Sequence, residues 1–258
     1  MMINLLIAEF KRTWIQTLRY PSEVIGGVVI LTSVFYGIFL STQYMAGPSS
    51  TFGNRLDTVV IGYIIWSLVL YIVNDIATNL QMEARTGTLE QVFLSPFGAP
   101  RVFFARAVAS LTLRLLLILI VLSIIIAITG SQIAFPLMLL LPLTTLLLGA
   151  YGLAFFIGSF ALVLKNVQQL LSLFQFFLFF LLAAPTENWT GPLRTVVNVL
   201  PILPSTGLLR DLMARELPLD WGQWAIAFTN GLIYFVIGTV LFRWAEGKAK
   251  QQGTLGSY

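Results

Sequence analysis

Residues 115–164 read LLLILIVLSIIIAITGSQIAFPLMLLLPLTTLLLGAYGLAFFIGSFALVL and contain no charged side chain. As one helix this run would be roughly 75 Å long, against about 30 Å of bilayer hydrocarbon. It must therefore break, and Gly130-Ser131-Gln132 supplies the turn. The run then reads as the end of one membrane span, residues 107–129, and the whole of a second, residues 135–164. Two such segments side by side go with a chain too apolar for a soluble fold, and this stretch reads as part of an all-α polytopic membrane protein.

The rest of the composition agrees. Of 258 residues, 57% are hydrophobic and 10% charged, where a soluble domain carries about 25% charge. Mean hydropathy is +0.87. The chain has no His and no Cys. That removes His- or thiolate-ligated metal sites, thiol catalysis, disulfides and imidazole acid–base chemistry. A catalytic constellation would need a nucleophile with its base, paired carboxylates or a metal, and none is found. The formal net charge of +4 could suggest nucleic acid, but its distribution points to membrane orientation instead.

Working outward, four more spans are read at residues 24–43, 59–80, 167–184 and 223–242, making six. Six crossings put both termini on one side. Lys11, Arg12, Arg19, Arg85, Arg101, Arg106, Lys165, Arg243, Lys248 and Lys250 flank one side, and Arg55, Arg194, Arg210 and Arg215 the other. The positive-inside bias makes the first side cytoplasmic. No cleavable signal peptide is read at the start. No internal repeat is seen, which counts against an inverted-repeat secondary transporter.

Residues 1–20 read as an interfacial amphipathic helix. Ile3, Ile7, Phe10, Trp14 and Leu18, with Leu6, recur at helical spacing, and Asn4, Lys11, Arg12, Gln16 and Arg19 fall mostly opposite. Tyr20-Pro21 ends it, because proline disfavours helical geometry in the preceding residue.

Between spans two and three the chain runs Glu83-Ala84-Arg85-Thr86-Gly87-Thr88-Leu89-Glu90-Gln91-Val92-Phe93-Leu94-Ser95-Pro96. Thr88 and Gln91 form a capping box, and Glu90 suits the positive end of a helix dipole. Leu89, Val92 and Phe93 share an apolar face, and Pro96 stops the helix. A short capped helix with an apolar face in a cytoplasmic loop suits a protein partner or the bilayer surface.

The pattern Glu83-x-x-x-Gly87-Thr88-Leu89-Glu90-x-Val92-x-x-Ser95-Pro96 resembles that of the ABC type-2 permeases, the membrane subunits of exporter-type ABC transporters. The interfacial helix, the six spans and the polar segment between spans five and six agree in order. Within that segment, Asn198-Val199-Leu200-Pro201-Ile202-Leu203-Pro204 and Leu209-Arg210-Asp211-Leu212 are similar to a family stretch, with Val199 where the family commonly has proline. Ala84 stands where the family often has a basic residue.

The resemblance implies one permease domain over residues 1–258, with a coupling helix in residues 84–97 and an outer-face segment in residues 185–222. The coupling helix would dock into a separate ABC ATPase. Glu83, Gly87, Thr88, Leu89, Glu90, Val92, Phe93 and Pro96 are its candidate residues. Two permease chains, identical or not, and two ATPase chains would form the assembly. ATP and Mg would be bound by the ATPase, since this chain lacks a phosphate-loop motif. The expected location is the inner membrane of a prokaryote. The expected cargo is lipidic or amphipathic, moved outward between two protomers. Polysaccharide or glycolipid export, and an ATP-independent transporter or channel, are the alternatives.

Three further groups carry expectations. Asp75 and Arg114 lie within spans, where a charge costs about 2.5–3.5 kcal/mol on insertion scales. They read as an ion pair or snorkelling groups, or else as a proton relay or headgroup contact. Phe174, Phe177 and Phe180, with Phe176 and Phe179, read as packing at lipid or a dimer interface, or as a passage wall. In the outer segment, Leu193–Leu203 is too short to cross and reads as re-entrant or interfacial. Trp189, Trp221, Trp224 and Trp244 suit headgroup levels. Arg210 with Asp211, and Arg215 with Glu216, read as solvated surface pairs.

Overall fold

A computed structural model describes residues 2–46, 53–86, 99–131, 133–163, 168–183, 186 and 189–251. Every regular element among the described residues is helical. In chain order these are α1 (Met2–Arg19), α2 (Pro21–Ala46), α3 (Gly53–Thr86), α4 (Ala99–Thr129), a 3-10 turn at Leu137–Leu139, α5 (Leu140–Val163), α6 (Gln168–Ala183), α7 (Pro192–Val199), α8 (Leu203–Ala214) and α9 (Trp221–Gln251). The chain packs as two compact units. One comprises Met1–Leu56 and Val92–Gln132, the other Asp57–Gln91 and Ile133–Tyr258.

Five segments are long and apolar enough to cross a membrane: Pro21–Ser41, Leu56–Leu80, Ala105–Thr129, Leu137–Ala161 and Trp221–Lys248. They match the expected spans one to four and six. The fifth expected span corresponds to α6, whose 16 described residues fall short of the about 20 that a perpendicular span needs. The residues flanking α6 lie outside the described set. Along α9, exposed Trp244 and half-buried Trp224 stand roughly 30 Å apart at helical rise, the thickness of the hydrocarbon core.

In the first unit, α4 packs on α1 and α2. The chain leaves α1 at Arg19 and enters α2 at Pro21, with Tyr20 between, as the proline requires. The apolar side of α1 is divided. Leu6 and Phe10 are partly buried, whereas Ile7, Trp14, Ile15 and Leu18 remain exposed together with Lys11, Arg12 and Arg19. Glu9 is only 8% exposed. Its carboxylate lies 3.7 Å from Arg12 one turn on and 3.7 Å from Arg106 of α4. α1 therefore has one face pinned to α4 through a buried carboxylate, and a second face that is apolar and basic.

α4 ends as its sequence dictates. Gly130 adopts φ +70°, the left-handed conformation that closes a helix, and its N–H donates to Ile126 O at 2.8 Å. Thr129 donates to Ile125 O at 2.8 Å, and its hydroxyl shares a hydrogen bond with Ser131.

The second unit is organised by α5 and α9, its most closely packed helix pair. A Cβ added at Gly152 would come within 2.5 Å of the Tyr234 carbonyl, and one at Gly231 within 2.7 Å of Thr145 O. Gly238 lies directly against the Gly152 carbonyl. Lipid tails are as apolar as leucine, so helices in a bilayer gain by close packing rather than by escaping water, and glycine permits backbone-to-backbone approach. Phe155 of α5 packs against Phe235 and Phe242 of α9 at centroid distances of 6.1 and 5.5 Å. α3 joins through Gly158, where Leu80 and Ile76 would meet an added Cβ at 3.2 and 3.3 Å. Asp220 caps α9, accepting from the backbone N–H of Gly222 at 2.8 Å and of Gln223 at 3.2 Å.

Gly152→Ala should lower the unfolding midpoint in detergent, with a cost of about 1–3 kcal/mol, because both partners are backbone and cannot move aside. Gly37→Ala, where an added Cβ meets nothing within 4 Å, should leave the midpoint unchanged or raised. Equal shifts for the two variants would contradict the close α5–α9 contact.

Candidate functional site

Two regions of the second unit carry the polar groups that an apolar chain must justify. The first lies on α3, which runs unbroken from Gly53 to Thr86. Glu83 is in its last turn. Gly87, Thr88, Leu89, Glu90, Val92, Phe93 and Pro96 lie outside the described residues. Two turns above Glu83, Asp75 accepts a hydrogen bond from Asn79 Nδ2 at 3.0 Å. Beside it, Asn74 Oδ1 accepts from Gln175 Nε2 of α6 at 3.4 Å. Tyr151 of α5 lies within electrostatic reach of Asp75 and Tyr71. These groups form a polar seam along α3, and the Asp75 side chain is half-buried within it. Arg114 belongs to the other unit, where it is half-buried on α4.

α6 divides sharply. Leu171, Leu178 and Leu182 are buried, Gln175 faces α3, and Phe179 packs edge-on against Trp66 of α3 at 5.3 Å. Leu173, Phe176, Phe177 and Phe180 are exposed, Phe180 at 71%. Of the expected phenylalanines, Phe177 and Phe180 therefore share an uncovered apolar face, and Phe174 is half-buried.

The second region is the segment between α6 and α9. The expected short apolar helix is two helices, α7 and α8, because Leu200 precedes Pro201 and takes an extended conformation. Ile202 then reverses the chain at φ 71° while only 1% exposed. A β-branched residue in the left-handed region costs about 1–3 kcal/mol, so its surroundings must enforce it. Ile202 O accepts from the backbone N–H of Thr206 at 3.0 Å and from its hydroxyl at 3.1 Å, which opens α8. The carbonyls ending α7 are satisfied from α9. Asn230 Nδ2 lies 2.9, 3.2 and 3.1 Å from the oxygens of Asn198, Val199 and Leu200, and the Tyr234 hydroxyl donates to Val199 O at 2.9 Å.

α8 is buried almost throughout. Ser205 shares a 2.8 Å hydrogen bond with Thr145 of α5, both hydroxyls buried. Arg210, expected as part of a solvated pair, is instead 0% exposed and heads the fully buried side chains by size. Its Nη2 donates to the carbonyl of Leu182 in the last turn of α6. Gly62 of α3 makes the room: a Cβ there would collide with Arg210 Nη2 and stand 3.0 Å from Leu182 O. The other expected pairing is also redrawn. Arg215 bonds Asp211 at 3.1 Å, one turn back, and Glu216 does not take part in that contact. With Arg210 inside the protein, the exposed basic excess on the other flank is not weakened.

An apolar groove of about 490 Å³ runs between α7 and α9, lined by Val199, Ile226, Ile233, Tyr234 and Ile237 among others.

The sequence model of a family described as ABC-2 type transporter matches residues 4–213, from α1 to within one residue of the end of α8. No curated protein matches the chain.

Asn230→Ala removes the donor that the carbonyls of Asn198, Val199 and Leu200 share, which should cost about 1–3 kcal/mol, against about 0.5–1.5 kcal/mol for Tyr234→Phe. Thermal unfolding in detergent should rank the variants in that order. Limited proteolysis should cut Asn230→Ala first within residues 190–203. The reverse ranking would contradict the α7–α9 cap.

Proposed function

The chain belongs to the ABC-2 type transporter family, and from that premise we propose that it is the permease of an ATP-driven exporter. It is a multi-pass membrane component of a transporter, in a family that works with ABC ATPases. The finer reading is that two such permeases, with two ATPase chains, move a lipidic or amphipathic molecule outward between them. The match across most of the chain carries the reading. ATP and Mg would be held by the ATPase, and the permease would supply the passage.

Several residues support the details. The sequence spacing of Leu89, Val92 and Phe93, with Glu83 and Glu90 nearby, suits docking into an ATPase cleft. The exposed phenylalanine face of α6 suits a second permease chain. A passage lined by phenylalanine offers apolar contact without hydrogen-bonding tips, which favours an amphipathic cargo over a sugar chain. The α7–α9 groove is apolar in the same way. Ten basic residues on one flank support an inner membrane with both termini cytoplasmic. The exposed Ile7, Trp14 and Leu18 of α1, with Lys11 and Arg19 beside them, suit the headgroup layer.

The double variant Leu89→Asp, Phe93→Asp tests the reading. Co-expressed with the ATPase chain, it should insert normally but fail to co-purify with that chain, and ATP-dependent transport in vesicles should be lost. Unchanged co-purification and transport would overturn the assignment of the coupling segment.

A further inference from the structure

Two spaces of the second unit meet at Asn198. One is the apolar groove between α7 and α9. The other is a chamber of about 60 Å³ between α7, α8 and the start of α9, lined by Thr186, Trp189, Arg194, Asn198, Asp211 and Gln223 among others. Asn198 borders both spaces, and on α9 Gln223 borders the chamber and Ala225 the groove. Thr186 is only 2% exposed, and its hydroxyl has no hydrogen-bond partner among the described residues. A hydroxyl can donate one hydrogen bond and accept two, and burial with none of them made is costly. Such a group calls for a binding partner. The charges around it fix the sign of that partner. The Asp211 carboxylate is bonded to Arg215 at 3.1 Å, whereas Arg194 stands exposed on α7. The chamber therefore suits a compact anion.

The groove begins one residue beyond Trp224 and follows α9 from Ala225 to Ile237, about 18 Å at helical rise. One leaflet of hydrocarbon is about 15 Å deep. Ile226, Ile233 and Ile237 are exposed along it, on a helix long and apolar enough to cross a membrane. The furrow thus has the depth of one acyl chain, with the polar chamber at its headgroup end. We propose that the groove and the chamber form a binding site for an anionic phospholipid. One acyl chain lies in the groove, and the phosphate is met by Arg194, the Thr186 hydroxyl and the Gln223 amide. The lipid is a resident of the leaflet at the Trp224 end, the outer one in the orientation proposed above. The site stands on the membrane setting of α9, not on the permease reading. Its seat adjoins the carbonyls held by Asn230 and Tyr234, because both residues also line the groove. Occupancy therefore stabilises the α7–α9 junction by mass action.

Native mass spectrometry of the delipidated full chain, titrated with dioleoyl phosphatidylglycerol or dioleoyl phosphatidylcholine, tests the proposal. The first phosphatidylglycerol should bind about fivefold more tightly than phosphatidylcholine, the worth of one cation beside an anionic headgroup. Arg194→Gln should abolish that preference. Lys11→Gln, which removes an exposed cation from α1, should keep it. Thr186→Val should weaken phosphatidylglycerol about threefold. Thr229→Trp, which fills the groove from an exposed position, should weaken both lipids. Glycerol phosphate, the headgroup without its chains, should not displace phosphatidylglycerol. Equal affinities in the native chain, or a preference that survives Arg194→Gln, would overturn the proposal. So would displacement by glycerol phosphate, which marks a plain anion site. Unchanged phosphatidylglycerol binding in Thr186→Val would assign the chamber to water instead. Lipid binding unmoved by Thr229→Trp, with loss of a permease dimer in the same spectra, would assign the groove to a second copy of the chain. Arg194 and Thr229 are exposed, so their variants decide even if Thr186→Val fails to accumulate.

Discussion

A guanidinium with no exposure, in a chain that is mostly hydrocarbon, constrains everything around it. Arg210 needs an acceptor, and the Leu182 carbonyl of α6 is one that it meets. It needs space, so α3 must present glycine at position 62. It needs its own helix to be buried, so α8 must be enclosed by α5, α6, α7 and α9. The turn into α8 passes through Ile202 in a conformation that the residue disfavours. The notch at Gly62 follows from the burial of Arg210, since a cation placed inside the protein needs room beside the carbonyl that it meets.

The first unit solves a smaller version of the same problem. Glu9 is a nearly buried carboxylate on a helix otherwise suited to a lipid surface, and Arg106 of α4 answers it. One side of α1 is thereby committed to protein, which leaves Ile7, Trp14 and Leu18 for another medium. In both units a buried charge helps to commit one face of a helix to protein.

Much of this was legible in the sequence because its causes are local. Hydropathy and helical rise located the five long spans. The Gly130 turn and the Tyr20-Pro21 break follow from the conformational limits of glycine and proline. The family pattern was legible too, since Gly87-Thr88-Leu89-Glu90 and Ser95-Pro96 are contiguous in the chain. What stayed hidden depends on contacts across the fold. Arg210 and Asp211 are neighbours in sequence, which suggested a pair, yet successive helical residues point about 100° apart. The Asp211–Arg215 spacing of one turn was the better signal. Glu9 was concealed because α1 was given a single apolar face, when Leu6 and Phe10 serve one side and Ile7 and Trp14 another. Nothing local announces that Ile202 turns left-handed, or that Gly62 exists to admit an arginine from a residue far along the chain.

The order of partners along the chain also bears on how the protein is made. Gly62 and Leu182, which Arg210 meets, are both upstream of it. When α8 emerges from the ribosome its acceptor is already synthesised. The end of α7 is in the opposite position, since Asn230 follows the carbonyls it satisfies by 30 to 32 residues. At about 5–20 residues per second, that is a wait of roughly 2–6 s. Over that interval α7 has three carbonyls without their donor, and α5 has its glycine face uncovered. α9 therefore does more than add a crossing, since its arrival supplies the donors that the end of α7 lacks until then.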